Sequence, residues 1–194
     1  MNPQNGNALW RNEEGLLTEN YAEARRINAG SPEPLWTGGF NTELSWKGIS
    51  LGIQLEARYG NKVLNQDRSL FEADGAYGDS NIWKGALNYW KKPGDTNVLP
   101  KPVYNNSSNS SNISTRYLED GSYLRIKDIT LAYNLPSKWT KKALMSGVRI
   151  YASALNLYTF HNMNYWDPEH GTTGATIISY PMTRSMIVGV DITF

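Results

Sequence analysis

Counting back from Phe194 in steps of two gives Ile192, Val190, Val188 and Met186, while the positions between hold Thr193, Asp191, Gly189, Ile187 and Ser185. A period of two with one apolar row predicts a two-faced β-strand over about residues 183–194. The same period begins near Gly39. Phe40, Thr42, Leu44 and Trp46 fall on one side, and Asn41, Glu43 and Ser45 on the other. After Lys47 and Gly48 it resumes: Ile49, Leu51, Ile53, Leu55, Ala57 and Tyr59 alternate with Ser50, Gly52, Gln54, Glu56 and Arg58. These runs predict strands over about 37–46 and 49–59, joined by a tight turn into a hairpin of membrane-spanning length. A third strand covers about 122–134. Leu124 and Ile126 there have the opposite parity to Ile129, Leu131 and Tyr133, and a bulge near Lys127 and Asp128 reconciles them. In the fourth, about 147–158, Val148, Ile150, Ala152 and Ala154 oppose Arg149, Tyr151, Ser153 and Leu155.

Three long loops separate these strands: residues 1–35, 60–120 and 159–181. Within them, Tyr21–Ile27 predicts a helical turn. Trp83, Ala86, Leu87 and Trp90 have helical spacing, with Asp79 or Ser80 as cap and Pro93 with Gly94 as stop, and predict one short amphipathic helix over Asn81–Trp90. Asn105–Asn112 has the composition of a mobile exposed loop. The two short connections, Lys47–Gly48 and Leu135–Ser146, alternate strictly with the long ones. Consecutive antiparallel strands turn at opposite ends, so the short connections share one end and the long ones the other. The expected fold is therefore all-β, an antiparallel up-and-down meander of about five long strands with long loops. The loop asymmetry is that of an outer-membrane barrel with short periplasmic turns and long extracellular loops, and it puts Phe194 on the periplasmic side. A row holding Glu43, Gln54, Glu56 and Arg58 faces a lumen rather than lipid.

Composition narrows the functional classes. The 194 residues carry a formal net charge of +1, which gives no electrostatic reason for a nucleic-acid partner. With no cysteine, disulfides and thiolate metal sites are excluded. Twelve Tyr and seven Trp against four Phe favour amphipathic aromatics, suited to glycan stacking, interfaces or barrel rims. No run approaches the ~20 apolar residues of a transmembrane helix. Residues 1–6 have no signal-peptide pattern, so an exported parent protein is expected to carry that segment upstream.

Several stretches in order carry a family resemblance. They are Gly30-Ser31-Pro32-Glu33-Pro34 leading to Gly38-Gly39-Phe40; Trp90 with Pro93-Gly94-Asp95; Tyr117-Leu118-Glu119-Asp120-Gly121-Ser122-Tyr123-Leu124-Arg125-Ile126-Lys127-Asp128 running on to Leu135-Pro136; Asn156-Leu157-Tyr158; Asp167-Pro168-Glu169; and Tyr180-Pro181 with Arg184 before the Gly189–Phe194 end. With these the chain resembles the C-terminal β-barrel part of the SusC/RagA family of TonB-linked outer-membrane receptors of Bacteroidetes. The resemblance implies that residues 1–194 are one C-terminal barrel segment of a transporter that actively imports a glycan or peptide nutrient. It further implies a barrel of about 22 strands set in outer-membrane lipid, a SusD-like surface lipoprotein as lid, and TonB as a partner acting through N-terminal parts not in this chain. Asp167, Pro168, Glu169, Tyr180, Pro181, Arg184 and Phe194 are the family-motif residues.

No catalytic site and no cofactor is expected. His161 and His170 lie nine residues apart without ligand spacing, so no metal site is expected either. Glu119 with Asp120 reads as a pair of solvated loop carboxylates. The candidates for ligand contact are Trp83, Tyr89, Trp90, Tyr165 and Trp166. Trp83 and Trp90 share a helical face with Leu87, so packing of the helix competes with ligand contact there. Three functional classes stand: a fragment of an outer-membrane transporter, a soluble all-β glycan-binding module whose strands face a common core, and a structural or adhesive surface protein.

Overall fold

In chain order the strands are β1 (Trp10–Arg11), β2 (Leu17–Thr18), β3 (Trp36–Trp46), β4 (Ile49–Tyr59), β5 (Lys62–Asn65), β6 (Leu118–Asp120), β7 (Tyr123–Asn134), β8 (Gly147–His161), β9 (Ala175–Thr176) and β10 (Ser185–Thr193). The α-helical segments are α1 (Gln66–Phe71) and α2 (Ser137–Thr140), each under two turns. The computed structural model describes residues 1–78, 81–106, 109–169, 174–176, 180 and 182–194. Its contacts divide the chain into two units. One holds Met1–Gly30, Leu64–Leu118 and Thr173–Ile178; the other holds Ser31–Val63, Glu119–Thr172 and Ser179–Phe194.

The second unit is a five-stranded antiparallel sheet in the order β10-β8-β7-β4-β3, so every sheet neighbour is also the next long strand in sequence. This is the expected up-and-down meander. The β3–β4 hairpin closes through Lys47 (φ 48°) and Gly48 (φ 87°), a two-residue turn with both residues left-handed, as strand twist favours. A side chain at Gly48 would meet the Asn134 carbonyl at 2.9 Å, so glycine is required by contact as well as by φ.

Directly paired residues lie on the same face, and the pairing carries one apolar face across all five strands. Phe40 pairs with Leu55, Leu55 with Ile126, and Ile126 with Tyr158; further along, Leu44 pairs with Leu51, Leu51 with Leu131, Leu131 with Ala152, and Ala152 with Val188. Two irregularities keep that face continuous. Gln54 pairs with Asp128 and Leu55 with Ile126, so Lys127 is an extra residue on β7, where the parity break lies in the sequence. On the other side, Ile126 pairs with Tyr158 and Asp128 with Leu155, so β8 spends Asn156 and Leu157 against that one residue. Asn156 takes φ 51°, a region that Asn tolerates better than most side chains. Nothing in the alternation of residues 147–158 signals this second irregularity.

Burial runs opposite to a water-soluble sheet. On the apolar face Met186 is 80% and Val188 79% exposed, and Phe40, Leu44, Trp46 and Phe160 are exposed as well. The fully buried side chains of the sheet are on the polar face: Arg125 at 0%, Ala132 at 2% and Tyr123 at 4%. The Tyr151 ring lies across Gly189 on that face, where a Cβ would come within 2.4 Å of it.

The first unit collects segments that the sequence presents as loops. β1 and β2 form a small antiparallel pair followed by a 3-10 turn at Tyr21–Glu23, inside the stretch expected to be helical. Asn2, Asn5 and Asn7 donate to the Glu19 carboxylate at 2.7–2.8 Å. These bonds, with the Asn7 amide foremost, hold the Glu19 pKa below its usual range. Asn65 caps α1, its side-chain oxygen accepting from the Arg68 N–H at 3.1 Å. Arg116 binds Asp74, Arg68 binds Glu72 at 2.9 Å, and Ser110 donates to Asp74 at 2.7 Å. Burial among these charges pushes the Tyr117 hydroxyl pKa up.

Two local expectations are corrected here. Asn81–Trp90 forms a single 3-10 turn, Lys84–Leu87, rather than an amphipathic helix: the turn closes with the Asn88 N–H donating to the Gly85 carbonyl, the flexible Gly85 lowers helix propensity within it, and Tyr89 just beyond bridges to Leu99. Leu87 is exposed and shares no packed face with Trp90. Asp79 and Ser80, the proposed caps, lie outside the described residues. The Asn-rich tract is not a uniformly exposed loop: Asn106 and Ser110 are buried, and Ser110 donates to the Asp74 carboxylate.

Candidate functional site

The polar face of the sheet carries a buried ion network near the ends where β4 finishes and β7 begins. The bulge builds it. Arg125 already points to the polar side, and the extra residue at Lys127 lets both Lys127 and Asp128 project there, where strict alternation would send one into the apolar face. Asp128 accepts from the Thr130 and Ser153 hydroxyls at 2.8 and 2.9 Å. Glu56 lies beside Lys127 at 3.1 Å and accepts from the Tyr123 hydroxyl at 2.7 Å, with Arg58 at 3.9 Å.

Onto this wall folds the segment after β8. Asp167 binds Arg125 Nη2, while Glu169 Oε2 stands 2.6 Å from Arg125 Nη1 and its Oε1 2.7 Å from Lys127 Nζ. The Glu169 N–H donates to Asp167 Oδ1 at 2.9 Å, and Pro168 between them is buried. A few residues earlier, Asn164 donates its backbone N–H to Glu119 at 2.7 Å and its side-chain amide at 3.2 Å. Met163 is buried too. Residues 163–169 thus form a strap tied to the wall at two points. Arg58, Arg125 and Lys127 face Glu56, Asp167 and Glu169, while the Asp128 carboxylate beside them is held by the Thr130 and Ser153 hydroxyls. Matching matters because a desolvated charge without a partner costs several kcal/mol.

Glu119, expected as a solvated loop carboxylate, is instead 8% exposed and holds the strap. Its neighbour Asp120 accepts from the Ser122 hydroxyl and N–H, bonds that set its pKa below the ordinary carboxylate range against the opposing effect of burial.

The sequence-derived candidates fall in different settings. Trp83 is half-buried against Phe71 at 5.5 Å. Tyr89 is half-buried with the Lys91 ammonium 5.4 Å from its ring. Trp90 is buried, donating from Nε1 to the Pro3 carbonyl at 3.0 Å over Gly6. Tyr165 is exposed and Trp166 half-buried, both on the strap that Asp167 and Glu169 anchor. Tyr180, Arg184 and Phe194 are exposed. Pro181 and His170 lie outside the described residues. Among the described residues no cluster of three metal-ligating side chains occurs. Sequence reasoning did not single out Glu56, Arg58, Tyr123, Arg125 or Lys127 as site residues, although the parity break at Lys127 pointed to the spot.

An antiparallel meander with its apolar face outward and buried charges on the opposite face is a piece of outer-membrane barrel wall. No family model matches the chain. It is 30% identical to TonB-dependent receptor P3 of Formosa agariphila over 88% of its own length and 17% of that receptor. TonB-dependent receptor P26 of the same organism is 27% identical over 94% of the chain and 19% of that receptor. A solved structure of the RagAB peptide transporter superposes on the whole chain with a TM-score of 0.83 at 29% identity, covering 22% of the transporter chain. The chain therefore spans under a fifth of the length of the curated relatives it matches. Along its whole length it is similar to the barrel part of the TonB-dependent receptors of SusC/RagA type. Such receptors are outer-membrane proteins.

Proposed function

We propose that the chain forms the C-terminal part of the wall of an importer that moves a nutrient oligomer, a peptide or a glycan, across the outer membrane. The observation that carries this reading is the inverted burial of the sheet: Val188 and Met186 exposed on one face, Arg125 fully buried on the other. A soluble glycan-binding module would bury the apolar row in a common core, and that row is open. The names of the relatives, receptors and a transporter rather than enzymes, agree with a non-catalytic role.

In this reading the short Lys47–Gly48 and Leu135–Ser146 connections face the periplasm and the long ones face outward. The polar face lines the lumen. The strap carries Tyr165 and Trp166, and with Tyr89 and Trp83 they are the candidates for stacking on a sugar or peptide. Trp90, committed to Pro3, serves packing. A SusD-like surface lipoprotein closes the outer mouth, and TonB supplies energy through parts of the receptor outside this chain.

Uptake tests the proposal. Cells lacking the receptor gene, complemented with the full-length receptor, should regain accumulation of a labelled oligopeptide or oligosaccharide mixture and lose it again when TonB is deleted. The arm that recovers names the substrate class. Unchanged uptake in all strains, or ligand binding by residues 1–194 alone as a detergent-free monomer, would overturn the reading.

A further inference from the structure

Leu135–Ser146, the longer of the two short connections, holds Lys138, Lys141 and Lys142 and no acidic residue. α2 and the 3-10 turn Lys141–Ala143 that follows it shape the segment, and Thr140 is their buried side chain, its hydroxyl donating to the Ser137 carbonyl. All three lysines are exposed and form no ion pair among the described residues. Between them stand two large apolar groups, Trp139 at 60% and Leu144 at 89% exposure. Leu144 has φ 58°, a left-handed conformation that ends the turn.

The segment is fixed to one end of the sheet. Leu135 donates to Val148, and Ser146 donates to the Thr193 carbonyl from its N–H at 2.7 Å and its hydroxyl at 3.0 Å. At that same end the apolar face closes with Trp46, Ile49 and Ile192, all exposed, and the Lys47 ammonium sits 4.7 Å from the Trp46 ring. Arg149 there is paired with Asp191 at 3.4 Å, while Lys47, Lys138, Lys141 and Lys142 have no ion pair among the described residues.

We infer that this connection is a binding surface for anionic phospholipid headgroups of the membrane leaflet next to the short turns. The inference rests on the barrel reading, because it needs the apolar face of the sheet in lipid. Two properties together select a lipid surface over an acidic protein. Lysines on flexible stems reach headgroup phosphates while their methylenes stay on apolar surface. Indole and leucine side chains at the rim of an apolar wall sit at the boundary of headgroup and acyl chain. An acidic protein partner would account for the lysines but leave Trp139 and Leu144 continuous with the lipid-facing rim unexplained.

The test uses the full-length receptor, freed of any other cysteine, with Ser137→Cys carrying a small fluorophore. It is reconstituted in phosphatidylcholine vesicles doped either with headgroup-nitroxide phosphatidylglycerol or with headgroup-nitroxide phosphatidylcholine. Quenching by the anionic probe should exceed quenching by the neutral one several-fold. Lys138→Gln/Lys141→Gln/Lys142→Gln or added salt should remove the difference, and Trp139→Ser should weaken quenching by both probes. A second label at Val188→Cys, read with an acyl-chain nitroxide, reports insertion of the wall and of each variant. Equal quenching by the two headgroup probes in the parent receptor overturns the inference, as does no headgroup quenching while Val188→Cys is quenched. If Val188→Cys is itself unquenched, the barrel reading fails first.

Discussion

The sheet and the unit built from residues 1–30 and 64–118 both bury ion pairs, yet they reach order by different physics. The sheet has a period. Each residue's face follows from its parity, the extra residue Lys127 accounts for the change of parity along β7, and β8 sets Asn156 and Leu157 opposite it without a change of its own. The other unit has no period. Side-chain oxygens and amides do its work: Glu19 collects Asn2, Asn5 and Asn7, and Asp74 collects Arg116 and Ser110. Its buried apolar groups are few and scattered, Ala8, Ala73, Ala86, Trp90 and Tyr117. The difference shows that a wall between lipid and lumen is specified by alternation, whereas a folded connection of the same chain is specified by polar pairing one contact at a time.

The largest effect should come from the buried ion network on the polar face of the sheet. Arg125→Met leaves Asp167 and Glu169 with fewer cations in a buried site, which costs about 3–5 kcal/mol when one partner of such a network is removed. The full-length receptor should melt at lower temperature, and residues 163–169 should become accessible to protease or hydrogen exchange before the strands do. Adding Asp167→Asn and Glu169→Gln should recover part of the loss, because the uncompensated charges are then gone. Recovery of none of it would mean that Arg125 acts through packing alone.

That network also marks how far the sequence could be read. The five strands were legible because a two-faced strand writes its burial into every second residue, and the bulge near Lys127 showed itself as a change of parity between Ile126 and Ile129. The strap was not. Arg125 and Asp167 lie 42 residues apart, and each alone looks like an ordinary solvated charge. Glu119 was misread for the same reason, its partner Asn164 being 45 residues away. The Asn-rich tract looked mobile because its composition is polar. The left-handed φ of Asn105, Asn106 and Asn109, between 44° and 56°, gives the Asn residues another purpose, namely tight turns that other side chains resist. In Asn81–Trp90 the helical spacing of the aromatics was real but too short to outweigh Gly85.

Adjacent residues of β10 offer a sharper contrast of the two faces. Val188 pairs with Ala152 on the apolar face and Ile187 with Ser153 on the polar one. Val188→Arg places a charge in lipid near mid-strand and should cost about 2–4 kcal/mol, read as loss of assembled receptor in the outer membrane. Ile187→Arg faces the lumen, near Asp128, and should assemble at close to the parent level. Equal loss in the two variants would contradict the assignment of faces.

The smallest effect belongs to the connections. The Asn7, Asn5 and Asn2 amides hold the Glu19 pKa below that of an unfolded chain. A carboxylate depressed on folding adds stability that is full above the unfolded pKa and is lost as pH falls through the folded one. Ordering of residues 1–7 should therefore persist at neutral pH and weaken only in the acid range below ordinary carboxylate titration. Because Glu19 is exposed, solvent screening keeps the effect local. Hydrogen exchange of residues 2–7 should quicken relative to its intrinsic rate between neutral and strongly acid pH while β7 and β8 stay protected. Glu19→Gln should show the acid behaviour at every pH, since its amide offers one acceptor oxygen where the carboxylate offers two. If residues 2–7 exchange alike in the parent and in Glu19→Gln, the asparagine cluster contributes nothing to the order of that segment, and the contrast between pattern and pairing narrows to Asp74 and its partners.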